Sequence, residues 1–229
     1  MEINVFDDRE MLANALADQI AGELKMGLGL NGKASLAVSG GSTPVLFFKT
    51  SSKRDLDWAN VTITLVDERW VDDSQDRSNA KLVKDFLLKN KAAAANFQPL
   101  YQEGMEPEEA IATIEEAVIP LLPFDAVVLG MGEDGHTASF FPSGDKLEAA
   151  TDINANAIIS TMQAKAAGEV RVTLTLAAIL IANFLAVHLE GGKKQQVMER
   201  AMDGSEPASD LPIRHILRNY KDVELFWSK

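Results

Sequence analysis

The chain has 229 residues, 46% of them hydrophobic and 24% charged, which is enough apolar material for one large core or two small ones. A formal net charge of −12 sets it against nucleic acid, whose binding draws on Lys and Arg neutralising phosphates. Having no cysteine, it forms no disulfide, thiolate nucleophile or cysteine-ligated metal centre.

In chain order, "MEINVFDDRE" is acidic and lacks the basic and apolar regions of a secretory signal. Asp7 and Asp8 are N-caps for a helix carrying Leu12, Leu16, Ile20 and Leu24 at four-residue spacing, and Gly27, Gly29 and Gly32 are expected to break it. "KASLAVSGGSTP" reads as a strand ending in a glycine-rich turn, with a short helix through "VLFFK". "VTITLVDERWV" reads as a second strand with a charged end beginning at Asp67. Ser78 caps a helix with Leu82, Val83, Phe86 and Leu87 on one face. "KAAAANFQPLYQEG" reads as a connector, and Pro107 suits the first turn of the next helix.

"PFDAVVLG" is a third strand. "PSGDKLEAATDINAN" is polar and irregular, and the sequence leaves open whether it closes over a pocket. "AIISTM", "RVTLTL" and "NFLAVHLEG" read as strands, with "AAILIA" a helical link. The apolar run over 172–187 falls short of the ~20 residues of a membrane-spanning helix, and polar residues interrupt it. An amphipathic helix through "KKQQVMERAMDG", another in "PASDLPIRHIL" and a strand "DVELFWS" follow. Strands and helices alternate, and several strands are apolar throughout. The expected fold is therefore α/β, a doubly wound, mostly parallel sheet with helices on both faces, in one domain over 1–229. A cytoplasmic location is expected, with no membrane and no nucleic acid as partner. The oligomeric state is left open, a monomer being compatible with the sequence.

Ligands of open parallel sheets gather outside the carboxyl ends of the strands. Three loops fall there: "SGGSTP", "DERWV" and "GMGEDGHTASFFP". In the first, Gly40 and Gly41 let backbone approach a ligand, and Ser42 and Thr43 add hydroxyls. The same residues also suit a plain strand-to-helix turn. In the second, Arg69 is a fork-shaped cation for phosphate or carboxylate, with Asp67 and Glu68 beside it to orient or neutralise it, or it is a surface ion pair. Trp70 reads as packing.

The third loop spells G-x-G-x-x-G at Gly130, Gly132 and Gly135, but the context of a dinucleotide fingerprint fails. Only six residues separate Gly135 from Pro142, too few for a long helix, and about 20 residues on stand Asn154 and Ala155, with Asp152 only close by. The better reading places His136 at the mouth of the loop, with Asp134 two residues away to orient its ring or balance its charge. The competing reading is a histidine capping a short turn. His188 reads as a core or edge-strand position and His215 as a helix surface; no metal is required. Arg171, Lys193 and Lys194 abut strand ends, where they can add charge to a phosphate pocket or stand solvated.

Taken together, "SGGSTP", "VDERWV" with "SNAKLV", "LGMGEDGHTASFFP", "RVTLTL" and "GGKKQQVMERA" resemble the 6-phosphogluconolactonase family, in the family's order and over most of the chain. The resemblance implies a Rossmann-like fold of glucosamine-6-phosphate deaminase type without a dinucleotide. It also implies hydrolysis of 6-phospho-D-glucono-1,5-lactone, a sugar phosphate, in the oxidative pentose phosphate pathway with no cofactor and no metal. His136 matches the general base, with Asp134 beside it. Gly40, Gly41, Ser42 and Thr43 match the ligand-cradling turn, and Arg69 and Arg171 the basic residues of the site. Lys193 is counted with them as substrate-binding. Phe140 stands where relatives often carry leucine, a change of packing. The alternatives are an amino-sugar phosphate isomerase/deaminase and a non-catalytic sugar-phosphate sensor. Against the deaminase, Phe141 stands where that branch carries a glutamate.

Overall fold

The computed structural model describes residues 1–229. The chain opens with strand β1 (Glu2–Phe6), then helix α1 (Arg9–Asn31), β2 (Ala34–Val38) and α2 (Val45–Ser51). Asp8 caps α1, its side chain accepting from the Met11 amide at 2.7 Å. Helix α1 runs on through Gly27 and Gly29 and ends only at Gly32, whose φ of 69° is left-handed. A side chain at Gly27 would run into the Asp125 carboxylate, so this glycine serves packing rather than termination.

β3 (Val61–Leu65), β4 (Asp67–Arg69), α3 (Asn79–Phe86), β5 (Asn96–Gln98) and α4 (Pro107–Val118) follow. The single strand expected over Val61–Val71 is two strands in two sheets. Val66 still bonds to the Val38 carbonyl, but Asp67–Arg69 turn away and pair antiparallel with Arg171–Thr173. The remaining elements are β6 (Ala126–Leu129), α5 (Leu147–Ala150), β7 (Ile159–Met162), β8 (Arg171–Leu174), α6 (Leu176–Leu180), β9 (Leu185–Glu190), α7 (Gly192–Asp203), α8 (Ile213–Asn219) and β10 (Glu224–Ser228). β1 and β5 are absent from the sequence reading, and the short α5 interrupts the segment read as irregular.

Seven strands form one parallel sheet in the order β1-β10-β9-β6-β2-β3-β5, and β4-β8-β7 form a small antiparallel sheet. Nearly every residue of β2, β3, β6 and β9 is buried, on both sides of the sheet, which is why these strands read as unbroken apolar runs. The chain winds outward from β2 through β3 to β5, then returns to the other side of β2 as β6. The strand order therefore reverses between β2 and β6, and a crevice opens at such a point beyond the strand ends. No helix is long and apolar enough to cross a membrane.

Candidate active site

Two loops leave this switch point side by side. Ser39 ties them together: its amide donates to the Val128 carbonyl at 2.9 Å, and its hydroxyl accepts from the Gly130 amide at 3.0 Å. Over the crevice lies a cavity of 290 Å³, lined from the carboxyl ends of β2, β6 and β9 and from the small sheet. All three loops singled out in the sequence contribute to it.

In the turn after β2, the amides of Gly40, Gly41, Ser42 and Thr43 donate to no protein acceptor. All four residues line the cavity. The Cα of Gly40 packs against Asn79, whose Nδ2 donates to the Asp67 carbonyl at 2.8 Å; a Cβ there would stand 1.9 Å from Asn79 Oδ1. Asn79 also lines the cavity, a position that the sequence shows only as the start of α3.

The loop after β6 doubles back on itself, the Gly132 amide donating to the His136 carbonyl and the Gly135 amide to the Gly132 carbonyl. His136 Nδ1 lies 2.5 Å from Asp134 Oδ1, which also accepts from the His136 amide at 3.2 Å. Burial pushes the Asp134 carboxyl up, but the hydrogen bonds and charge of His136 outweigh it and hold it below the usual value. With Nδ1 engaged, Nε2 is the ring nitrogen left for chemistry. A Cβ at Gly132 would stand 2.2 Å from His136 Nδ1 and 2.5 Å from Asp134 Oδ1. In the G-x-G-x-x-G spelling, Gly132 is thus explained by the room the Asp–His pair needs, and Gly135 by its left-handed φ of 78°. From behind, the Ile213 amide donates to the Gly135 carbonyl at 2.9 Å, a support from α8 that local sequence does not reveal.

The small sheet supplies cations. Arg69 and Arg171 stand directly opposite each other across β4 and β8, an arrangement that is unfavourable unless an anion lies between or beside them. The Nε of each is buried without a partner. Burial holds the Arg171 guanidinium below its usual value, with Asp67 opposing at 3.8 Å from its Nη1. Asp67 is in turn fixed by the Ser139 hydroxyl at 2.6 Å. Glu68 does not neutralise the Arg69 guanidinium. Fully buried, it accepts from the amides of Asn79 and Ala80 at 2.8 and 2.7 Å and so caps α3. Trp70 packs, as the sequence suggests, edge-on to Tyr101. Phe141 lies under both functional groups: its ring centroid is 4.5 Å from that of His136 and 5.5 Å from the Arg171 guanidinium carbon.

Of the two adjacent lysines, Lys193 stays outside. Its side chain is 80% exposed and reaches Glu133 at 3.5 Å, and it does not line the cavity. Lys194 faces in and donates to Thr43 Oγ1 at 2.9 Å, with burial holding its ammonium below the usual value. Consecutive helical residues point about 100° apart, so only one of the pair can turn inward. His188, read as a core or strand position, is 1% exposed and also lines the cavity.

The family profile for glucosamine-6-phosphate isomerases/6-phosphogluconolactonase matches residues 7–227. A 6-phosphogluconolactonase of Rhizobium meliloti is 46% identical over 228 residues, covering 99% of this chain and 98% of its own. One from Mesorhizobium japonicum is 47% identical, covering 98% and 94%. The crystal structure of a 6-phosphogluconolactonase from Shewanella baltica superimposes with a TM-score of 0.95 at 39% identity, over 100% of this chain and 98% of its own. A monomeric glucosamine-6-phosphate deaminase superimposes with a TM-score of 0.81 at 16% identity, over 100% and 98%, a likeness of fold alone. A profile match over almost the whole chain, joined by full-length relatives, establishes that the chain belongs to the glucosamine-6-phosphate isomerase/6-phosphogluconolactonase family.

Proposed function

We propose that this chain hydrolyses 6-phospho-D-glucono-1,5-lactone to 6-phospho-D-gluconate, the activity for which its full-length relatives are named. One observation carries the mechanism: His136, paired with Asp134, lines the same cavity as Arg69, Arg171 and Lys194. His136 Nε2 takes a proton from water as the oxygen attacks the lactone carbonyl. Asp134 holds the ring through Nδ1 and balances the charge it gains. Arg171, which lies over the same Phe141 ring that His136 packs against, is the cation assigned in this reading to the developing oxyanion. As the tetrahedral intermediate collapses, the bond to the ring oxygen breaks and the protonated His136 returns its proton to that oxygen.

Substrate binding falls to the free amides of the Gly40–Thr43 turn with Lys194, which seat the phosphate, and to Arg69 with Arg171. The phosphate is a remote handle whose binding positions the carbonyl for attack. Phe141, which carries no acid, stands where the deaminase branch carries a glutamate, so that group of the deaminase's proton-transfer machinery is missing here. The reading is of one domain acting in the cytoplasm on a small sugar phosphate, with neither nucleic acid nor membrane as partner.

Proton release from freshly made lactone tests the activity directly. His136→Ala is expected to lower turnover ~10²- to 10⁴-fold while phosphogluconate still binds. Near-normal turnover in that variant removes His136 as the base. Ammonia release from glucosamine 6-phosphate would instead identify a deaminase, and binding without turnover a sensor.

A further inference from the structure

His188 is a buried polar side chain that the mechanism above does not use. It lies on the central strand β9, and its Nε2 is 3.2 Å from Glu190 Oε1. The other Glu190 oxygen pairs with Arg9, at the start of α1, at 3.1 Å. On its remaining side the ring meets the edge of Phe47 from α2, centroids 6.2 Å apart. Nδ1 is buried and has no partner in the protein. A buried imidazole nitrogen without a partner is costly, and such an atom calls for a ligand. The cavity that His188 lines is also lined by Lys194 and by Gly40, Gly41, Ser42 and Thr43, whose amides are free.

We propose that His188 is a phosphate-binding residue, its Nδ1 donating a hydrogen bond to a phosphoryl oxygen of the substrate. The proposal rests on the sugar-phosphate reading above. The proton inventory follows from the partners. An ionised Glu190 has no proton to give, so Nε2 must carry one. A phosphate dianion has only acceptors, so Nδ1 must carry one too. The ring is therefore the imidazolium in the complex, its second proton drawn from solvent as the phosphate enters. In the empty protein the opposite holds: burial, reinforced by the charges of Lys194 and Arg9 and opposed by Glu190, holds the ring below its ordinary value and so neutral. Phosphate and proton would then bind together, with Lys194 as the second cation on the anion.

Turnover of the phosphorylated lactone by the unmodified chain is measured first; its absence sinks the functional reading and leaves this proposal without a substrate. Given turnover, His188→Phe keeps the ring volume and removes both nitrogens. Its KM is expected to rise ~10- to 100-fold, as for loss of a hydrogen bond to a charged group, with kcat held within about twofold. Inorganic phosphate should weaken as a competitive inhibitor by a similar factor, which a purely structural role would not produce. An unchanged KM, or a loss of kcat alone, overturns the proposal. The chain has three histidines, so imidazole nitrogen resonances offer a test that needs no folded variant at position 188. Adding 6-phosphogluconate to the unmodified protein should move His188 Nδ1 from its unprotonated to its protonated position. No movement of that signal rejects the hydrogen bond.

Discussion

The turn after β2 and the loop after β6 leave the sheet as neighbours, and both are rich in glycine, yet they work with different atoms. In the Ser39–Pro44 turn the chemistry lies in the main chain: four successive amides stand free, and the side chain at Ser42 is exposed and unbonded. In the Gly130–Pro142 loop most of the amides that line the turn are spent holding its shape, and the proposed chemistry falls to two side chains, Asp134 and His136. Glycine has a different job in each. Gly132 clears space for the Asp134–His136 pair, whereas Gly40 lets a neighbouring helix brace the turn through Asn79. A glycine pattern is informative only together with what occupies the space it leaves.

Substitutions that fill those spaces test the contrast. The largest effect is expected at Gly132→Ala, where the new methyl overlaps both members of the Asp–His pair. Misplacing the base in this way should cost ~10²-fold in kcat, read from initial rates, with phosphate binding retained. A near-normal kcat would mean that the pair tolerates displacement. Next comes Gly40→Ala, which pushes Asn79 off the turn and off the Asp67 carbonyl. Here KM should rise, and thermal or denaturant unfolding should show a loss of ~1–3 kcal/mol, as for a broken buried hydrogen bond. A fall in kcat at constant KM would erase the distinction between the two loops. The smallest effects separate the adjacent lysines. Lys194→Ala should raise KM ~10-fold, as the charge-assisted partner of the phosphate is lost. Lys193→Ala should leave all parameters within about twofold, because its only partner is an exposed carboxylate.

The central strands were legible because β2, β6 and β9 are buried along almost their whole length, which writes continuous apolar runs into the chain. β1 and β5 were not: both are edge strands, mostly exposed or half-buried, and their composition is that of a connector. The break at Val66 was hidden for another reason. Residues 61–66 are strand-forming and Asp67–Arg69 read as the charged end of the same strand; what diverts them is pairing with Arg171–Thr173, about a hundred residues away. The site shows the same division. His136, Asp134 and the glycine turn sit within short segments and could be picked out there. The order of Lys193 and Lys194 on the chain carries no information about which of them faces the cavity. Asn79 and His188 each have an adequate local explanation in the sequence, one as a helix start and one as a core or strand position.

The parallel pairing of β1 with β10 has a consequence for the nascent chain. The Met1 amino group bonds to the Lys221 carbonyl, 220 residues downstream, and the ladder from Glu2 to Phe6 is completed only against Glu224 to Ser228. While ribosomes are still translating the middle of the message, β1 has no ladder partner to receive its hydrogen bonds. Helix α1 can dock on β2 early, but the strand ahead of it must wait unpaired until β10 emerges. The acidic residues Glu2, Asp7 and Asp8, in and beside this waiting edge, suit a segment that must stay apart from its copies on neighbouring ribosomes.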